Sequence, residues 1–335
     1  MSTCGLAAQT ATAQNAIDTV KVQQVAEVVV KGVRATKNAP FAVANINKSE
    51  LKNFSTSGKE LPFLFSRTPG VVAWSDNGTG VGNASIRIRG AAGSRINVTL
   101  DGVCLNSPED QSVFWANMNS YSALMGSAQI QRGVGTSTNG DGAFGGSISL
   151  ATAAPSLIPT AELTGSYGSF GTYNTGISFS TGLLGKHLIF DGAYHESATQ
   201  GYVNATDGRA GSYYGGLTWL GDNFQIRYKN IGNFEKTGQA WNGVMTSDYN
   251  TNGLFPNIHS YKDLWEAGLG RVNTLVEDVV YDPAGWAAGN YQTQRYTLRD
   301  GSKWQHTTDN FYQNHNILSA AWTPSAQWSH NLALH

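Results

Sequence analysis

Charge is what this sequence has least of. Only 13% of its 335 residues are charged, about half the roughly 25% of an ordinary soluble domain. Lys+Arg 22 against Asp+Glu 23 leaves a formal net charge of -1, which excludes a basic surface for nucleic acid. The two cysteines, Cys4 and Cys104, are too few for a disulfide framework, and no Cys/His spacing matches a metal site. His187, His195, His259, His306, His315, His330 and His335 fall in no ligand spacing either, so no metal and no cofactor is expected. Apolar residues never run to the roughly 18 that a membrane-spanning helix needs, which leaves strands as the only way for this chain to cross a bilayer. Gly78-Thr79-Gly80-Val81-Gly82 lacks dinucleotide spacing, and no glycine-rich stretch leads into Gly-Lys-Ser/Thr. With no nucleophile elbow and no paired-carboxylate motif, the chain does not read as an enzyme.

What is abundant is glycine, at 39 residues, and aromatic residues, at 11%. Low charge combined with this excess favours a membrane β-barrel over a cytosolic enzyme. The stretch from Ile86 to Gly146 organises the first half. Ile86-Arg87-Ile88-Arg89 alternates, placing the isoleucines on one face of a strand and the arginines on the other. Ile96-Asn97-Val98-Thr99-Leu100 alternates again, and Asp101-Gly102 supplies two residues that tolerate positive φ, predicting a tight hairpin into Val103-Cys104-Leu105. Gly133 to Gly146 carries six glycines and no proline, which suits backbone packed against backbone.

These strand-and-turn signals, with Gln129-Ile130-Gln131-Arg132-Gly133 and Gly142-Ala143-Phe144-Gly145-Gly146-Ser147-Ile148, resemble the plug domain of TonB-dependent outer-membrane receptors, closely over Glu27 to Thr152. The resemblance implies a mixed α+β plug followed by an antiparallel transmembrane β-barrel. Residues 1–13 then read as a signal-peptide remnant around Ala11-Thr12-Ala13, or as a short tail. Residues 14–36 read as a flexible segment, 37–154 as the plug, and 155–335 as the start of the barrel. The region from Gln23 to Glu27 and the long barrel connections are similar to Bacteroidetes receptors.

Within 14–36, Glu27, Val28, Val29 and Val30 form a β-prone stretch too short to build a core. The resemblance makes it the TonB box, adding as a strand to TonB's periplasmic domain in the TonB-ExbB-ExbD system; Asp18 to Val22 is a second candidate. Downstream, Phe41 to Ile46 reads as a strand, Ser49 as the cap of a short helix through Phe54, and Gly58 to Ser66 as a second helix with Pro62 in its first turn.

Past Pro155 period two persists. Leu163 and Tyr167, Ile177 and Phe179, Phe190 and Tyr194, Phe224 and Ile226, Leu318 and Trp322, and Leu332 and Leu334 each share a face opposite polar residues. Short connections at 183–186, 221–222 and 324–326 alternate with a tight 169–172 turn and two long segments, 197–209 and 234–311. Seven strands are present where a plugged receptor uses about 22, so the chain reads as truncated, the N-terminal part of such a barrel. A β-sandwich adhesin after Pro155, a passive porin and a decayed receptor fragment are the alternatives.

The resemblance gives roles to particular residues. Arg87 and Arg89 are expected to pair with barrel carboxylates as a plug latch, or else with Asp101 or Glu60 inside the plug. Two loops, Ser75 to Asn83 and Asn106 to Trp115, correspond to the apices that face an external ligand. They offer Trp74, Asp76, Asn77 and Asn83, and Glu109, Asp110, Phe114 and Trp115, as ligand-binding residues. The expected partners are TonB, outer-membrane lipid and a small-molecule ligand, with an iron-siderophore first. The expected location is the outer membrane of a Gram-negative bacterium, with the N-terminus periplasmic.

Overall fold

The computed structural model describes residues 34–35, 40–134, 143–244, 257–280, 282, 284–285, 288, 290–325 and 328–335. The Ala11-Thr12-Ala13 leader, Asp18 to Val22 and the Glu27–Val30 strand lie outside these residues.

The first unit runs β1 (Ala42–Ile46), α1 (Lys48–Ser55), α2 (Leu61–Phe65), β2 (Val71–Ser75), β3 (Ala84–Ile88), β4 (Ile96–Leu100), β5 (Val103–Cys104), β6 (Met125–Arg132) and β7 (Gly146–Thr152). A five-stranded sheet has the order β1-β6-β7-β4-β5. Its β4–β7 pair is parallel and its other pairs are antiparallel, while β2 and β3 form a separate hairpin. The two isoleucines of β3, Ile86 and Ile88, are buried with Leu51, Phe65, Leu100 and Ile130 in one core. Asp101 and Gly102 take φ of 50° and 86°, the geometry that a two-residue turn between β4 and β5 requires.

Three local expectations shift. The cap of α1 is Asn47, not Ser49: its Oδ1 accepts from Glu50 N at 3.0 Å while its own N donates to Glu50 Oε2 at 2.8 Å, a reciprocal capping box. Helix α2 starts at Leu61, because Gly58 has φ +68° and cannot be helical. Strand β3 stops at Ile88, since Arg89 turns into the left-handed region at φ 50°, so the two arginines do not share a strand face.

The second unit is a seven-stranded antiparallel sheet of β8 (Thr160–Tyr167), β9 (Tyr173–Ser180), β10 (Leu188–Thr199), β11 (Gly208–Leu220), β12 (Phe224–Gly238), β15 (Thr308–Ser325) and β16 (Trp328–Leu334). Its order is β16-β15-β12-β11-β10-β9-β8, so neighbours in space are neighbours in sequence apart from one excursion. That excursion lies between β12 and β15. It holds α3 (Tyr261–Glu266) and the hairpin β13 (Glu277–Val280) with β14 (Gln292–Arg295). The strands also reach further than the alternation suggested, which shortens the connections to 200–207 and 239–307.

Alternation along these strands separates two faces. Leu163, Tyr167, Phe179, Phe190, Trp219, Ile226 and Trp322 are exposed on the outward face. Ser197, Ser212, Thr218, Lys229, Asn233 and Glu235 are buried on the face that meets the first unit. A β-sandwich would bury the apolar face, so that alternative fails.

Close backbone packing at the glycine-rich junction gives a direct test. A Cβ at Gly145 would lie 2.5 Å from Ala91 Cβ and 2.7 Å from Arg95 O, and no flexible side-chain end is there to yield. Gly145→Val is expected to abolish the protease resistance of residues 40–152 in the folded chain while sparing the seven-stranded sheet. Wild-type trypsin kinetics would refute the packing argument.

Candidate functional site: the seam between plug and sheet

The hairpin turn after β4 places Asp101 at the wall. Its carboxylate accepts from Thr152 N and Thr152 Oγ1, both at 2.9 Å, and pairs with the Lys229 ammonium of β12, which also donates to Thr152 Oγ1 at 3.1 Å. The Lys229 and Asp101 side chains are 4% and 6% exposed. Two residues earlier on β12, and therefore on the same face, Arg227 Nη2 donates to Ala153 O at 2.9 Å. It also donates to Tyr214 Oη at 2.5 Å and Asp191 Oδ2 at 3.3 Å. A third, exposed tie joins Lys52 of α1 to Glu162 of β8 at 2.7 Å, which screening leaves weak.

At the opposite end of β12, the 75–83 loop meets the long connections. Asn77, 1% exposed, is the loop's organiser: its Oδ1 accepts from Ser75 Oγ, Thr79 N and Gly80 N, and its Nδ2 donates to Val81 O. Its carbonyl accepts from Tyr202 N at 3.0 Å and Val203 N at 3.3 Å. Asn83 Nδ2 donates to Thr237 Oγ1 at 3.4 Å, and Thr237 Oγ1 donates to Glu235 Oε1 at 2.7 Å. Next to it, Glu60 Oε2 accepts from Ala84 N at 3.0 Å. Burial, and then the Glu235 carboxylate, push the Glu60 carboxyl well above its ordinary value. Burial and Asp309 raise Asp76 in the same direction.

Above the loop stands an aromatic and cationic cluster. Phe170 and Tyr202 meet edge to face at 5.5 Å, and Arg271 lies over both rings at 5.8 and 5.6 Å while its Nε donates to Tyr202 O at 2.6 Å. Tyr202 Oη and Tyr261 Oη share a hydrogen bond of 2.6 Å.

The structure brings Asp76, Asn77 and Asn83 to these connections and leaves the other candidates elsewhere. Trp74 is stacked by Arg87 at 5.8 Å. Glu109, Asp110 and Phe114 are exposed on a loop of their own, with Asp110 Oδ1 accepting from Ser112 N at 2.9 Å. Trp115 is a core residue, 4% exposed and packed edge to face on Phe65 at 5.7 Å, so it cannot offer its ring to a ligand. Asn77 likewise spends its amide on the loop itself.

Neither Arg87 nor Arg89 forms an ion pair among the described residues. The in-plug alternatives are taken, Asp101 by Lys229 and Glu60 by Ala84 N. Sequence reasoning missed Arg227, Lys229 and Glu235 as plug contacts. The signal was present, since two cations at alternate positions on the inward face of a barrel strand demand carboxylates from whatever lies inside.

Breaking one half of the Asp101–Lys229 pair strands the other half buried, which costs about 3–5 kcal/mol. Lys229→Met and Asp101→Leu are each expected to lower the urea concentration at which the plug becomes protease-sensitive, with the double variant recovering part of the loss. Additive losses would show that the two residues act independently.

Glu60 sets a pH dependence. Its ordinary carboxyl value is 4.5 and its folded value is higher, so the packed plug takes up a proton that the unfolded chain has released. Stability is therefore greatest below the ordinary value and declines as pH rises from there through the raised value. Glu60→Gln should flatten that decline over the same window. An unchanged slope would exclude Glu60 as its source.

Comparison with known proteins fits this geometry. Residues 35–147 match the TonB-dependent Receptor Plug Domain, and no curated protein matches the chain by sequence. The ferripyoverdine receptor of the outer membrane of Pseudomonas aeruginosa superposes with a TM-score of 0.61 at 12% identity, over 95% of this chain and 37% of that one. The ferric yersiniabactin uptake receptor FyuA from Yersinia pestis gives 0.58 at 15%, over 88% and 40%. The copper transporter OprC gives 0.57 at 11%, over 90% and 38%. This chain thus spans well under half of each receptor's length. Residues 35–147 are thus similar to the TonB-dependent receptor plug domain, and together with the seven-stranded sheet they share the fold of part of those solved receptors.

Proposed function

We propose that this chain works as a TonB-dependent outer-membrane receptor, binding a scarce nutrient at its long connections and importing it by energised movement of the plug. The observation that carries this reading is the character of the seam. The plug's apolar core takes in Ile231 and Ile317 of the wall, while buried polar ties, chiefly Asp101–Lys229 and Arg227–Ala153, hold the rest of the seam. Such contacts hold one geometry firmly, yet water can replace them one by one when the plug is pulled.

The outward belt of Leu163, Phe179, Phe190, Trp219 and Ile226 suits outer-membrane lipid. The turns at 181–187 and 221–223 would then face the periplasm, and the connections 200–207 and 239–307 the exterior. Ligand held by those connections acts on Tyr202 and Val203, whose amides grip Asn77, and so on the first apex of the plug. Glu27 to Val30 is the strand offered to TonB. Main-chain pairing carries that contact, so side-chain identity matters less than the backbone donors. The similar solved receptors include ferripyoverdine and ferric yersiniabactin proteins, which puts a ferric siderophore first among ligands. Arg87 and Arg89, exposed and without a carboxylate among the described residues, remain proposed latch groups for other parts of a wall.

Proline at Val28 or Val29 removes a backbone donor. Cells producing that variant are expected to bind a ferric siderophore at the wild-type level and to accumulate none of its radioiron. Wild-type uptake would rule out Glu27 to Val30 as the coupling strand, and absence of binding by the wild type across a siderophore panel would remove that ligand class.

A further inference from the structure

A second feature of the long connections has chemistry of its own. Ala205, Asp207, Arg295 and residues 302–306 line an open cleft of about 580 Å³, with Lys303, Trp304 and His306 along one side. That volume falls within the range of about 300–1,000 Å³ typical of small-molecule sites. The lining is weighted towards cations. Among the described residues Lys303 Nζ donates only to the neutral Thr297 hydroxyl, at 2.8 Å. Arg295 Nε stands 4.0 Å from Glu277, whose oxygens already accept from Asn204 Nδ2 and Asn273 N. The one lining carboxylate, Asp207, faces His306 Nε2 at 3.6 Å. Two fixed positive charges therefore keep free donors around a partly exposed indole, Trp304.

We propose that this cleft is a binding site for a small flat anion, its ring against Trp304 and its negative groups on Lys303 and Arg295. The assignment rests on reading the long connections as a receptor's ligand face, and it adds a ligand class and a route to the plug. The floor of the cleft, Ala205 and Asp207, belongs to the same short turn as Tyr202 and Val203. In that turn Thr206 Oγ1 donates to Val203 O at 2.7 Å, and the Tyr202 and Val203 amides donate to Asn77 O. Filling the cleft tightens this turn and with it the first apex of the plug.

The test uses the full chain folded in detergent micelles, with benzene-1,3,5-tricarboxylate as the probe. Citrate serves as an anion without a ring, and benzene-1,3,5-trimethanol as a ring without charge. Titration calorimetry should show saturable binding of the tricarboxylate, weakening as salt is raised and at least tenfold weaker in the Arg295→Gln/Lys303→Gln variant. Both residues are exposed, so that variant keeps its fold, which circular dichroism verifies. Trp304→Ala should weaken the tricarboxylate and leave citrate unchanged. Bound tricarboxylate should slow hydrogen exchange at the Tyr202 and Val203 amides. No saturable binding by the wild type, or equal binding by the double variant, overturns the site. Binding of the neutral triol as tight as the tricarboxylate overturns the anion class, and unchanged exchange at the two amides overturns the route to the plug. None of these measurements needs TonB or import. A proline variant at Val28 that fails to import while binding the probe leaves the site standing, and import without probe binding leaves the receptor reading standing.

Discussion

A sheet that is apolar on its outward face and polar on its inward face cannot be satisfied by water and itself alone. Strict alternation forces this division, because every second side chain of β10, β11 and β12 must point inward. Those inward residues, Arg227, Lys229, Asn233 and Glu235 on β12 alone, are buried. A buried ammonium needs a carboxylate, and the plug supplies one in Asp101. The tie constrains both partners at once: the β4–β5 turn must carry the acid, and its positive-φ pair of Asp101 and Gly102 sets the carboxylate where it holds Thr152 of β7 and Lys229 of β12 together.

The same logic explains why the plug keeps its own core. Ile86, Ile88, Leu100 and Ile130 bury one another with Leu51 and Phe65, and few apolar residues of the wall join them, Ile231 and Ile317 among them. Hydrophobic burial grows with apolar area removed from water, so most of that stabilisation lies inside the plug and little across the seam. The seam is held instead by directional polar contacts, the sort whose net contribution is modest once water competes for them. A plug can therefore stay folded while its attachment loosens.

Elements were legible in the sequence where a local rule decides them. Period two announced the strands from Leu163 onward, and Asp101-Gly102 announced its hairpin. The errors at α1 and α2 were of boundary, and each has a local cause: Asn47 outcompeted Ser49 because Glu50 stands three residues beyond it, and Gly58 was needed for a left-handed turn. Pairings in space were not legible in the same way. Asp101 and Lys229 are separated by 128 residues, and nothing in either neighbourhood names the other. Trp115 shows the reverse failure: a large ring in a polar loop invites a ligand reading, yet Phe65 was its partner. The long connection was hardest, because a six-residue helix and a hairpin of four-residue strands fall below the length at which periodicity speaks.

What links the two ends of the molecule is β12. Its Arg227 and Lys229 grip the base of the plug, and its Glu235 and Thr237 touch the apex beside Glu60 and Asn83. A strand paired on both sides with β11 and β15 is stiff along its length, so it acts as a fixed rail rather than a relay. Changes at the apex then reach the base through the plug itself, whose β3 and β4 lie between the two contacts. The softest part of that route is the 75–83 loop, where one buried amide, Asn77, holds the turn from inside and the Tyr202–Val203 backbone holds it from outside. Any event at the long connections that moves Tyr202 must pull on Asn77. The same loop ends at Asn83, whose side chain contacts Thr237 of the wall.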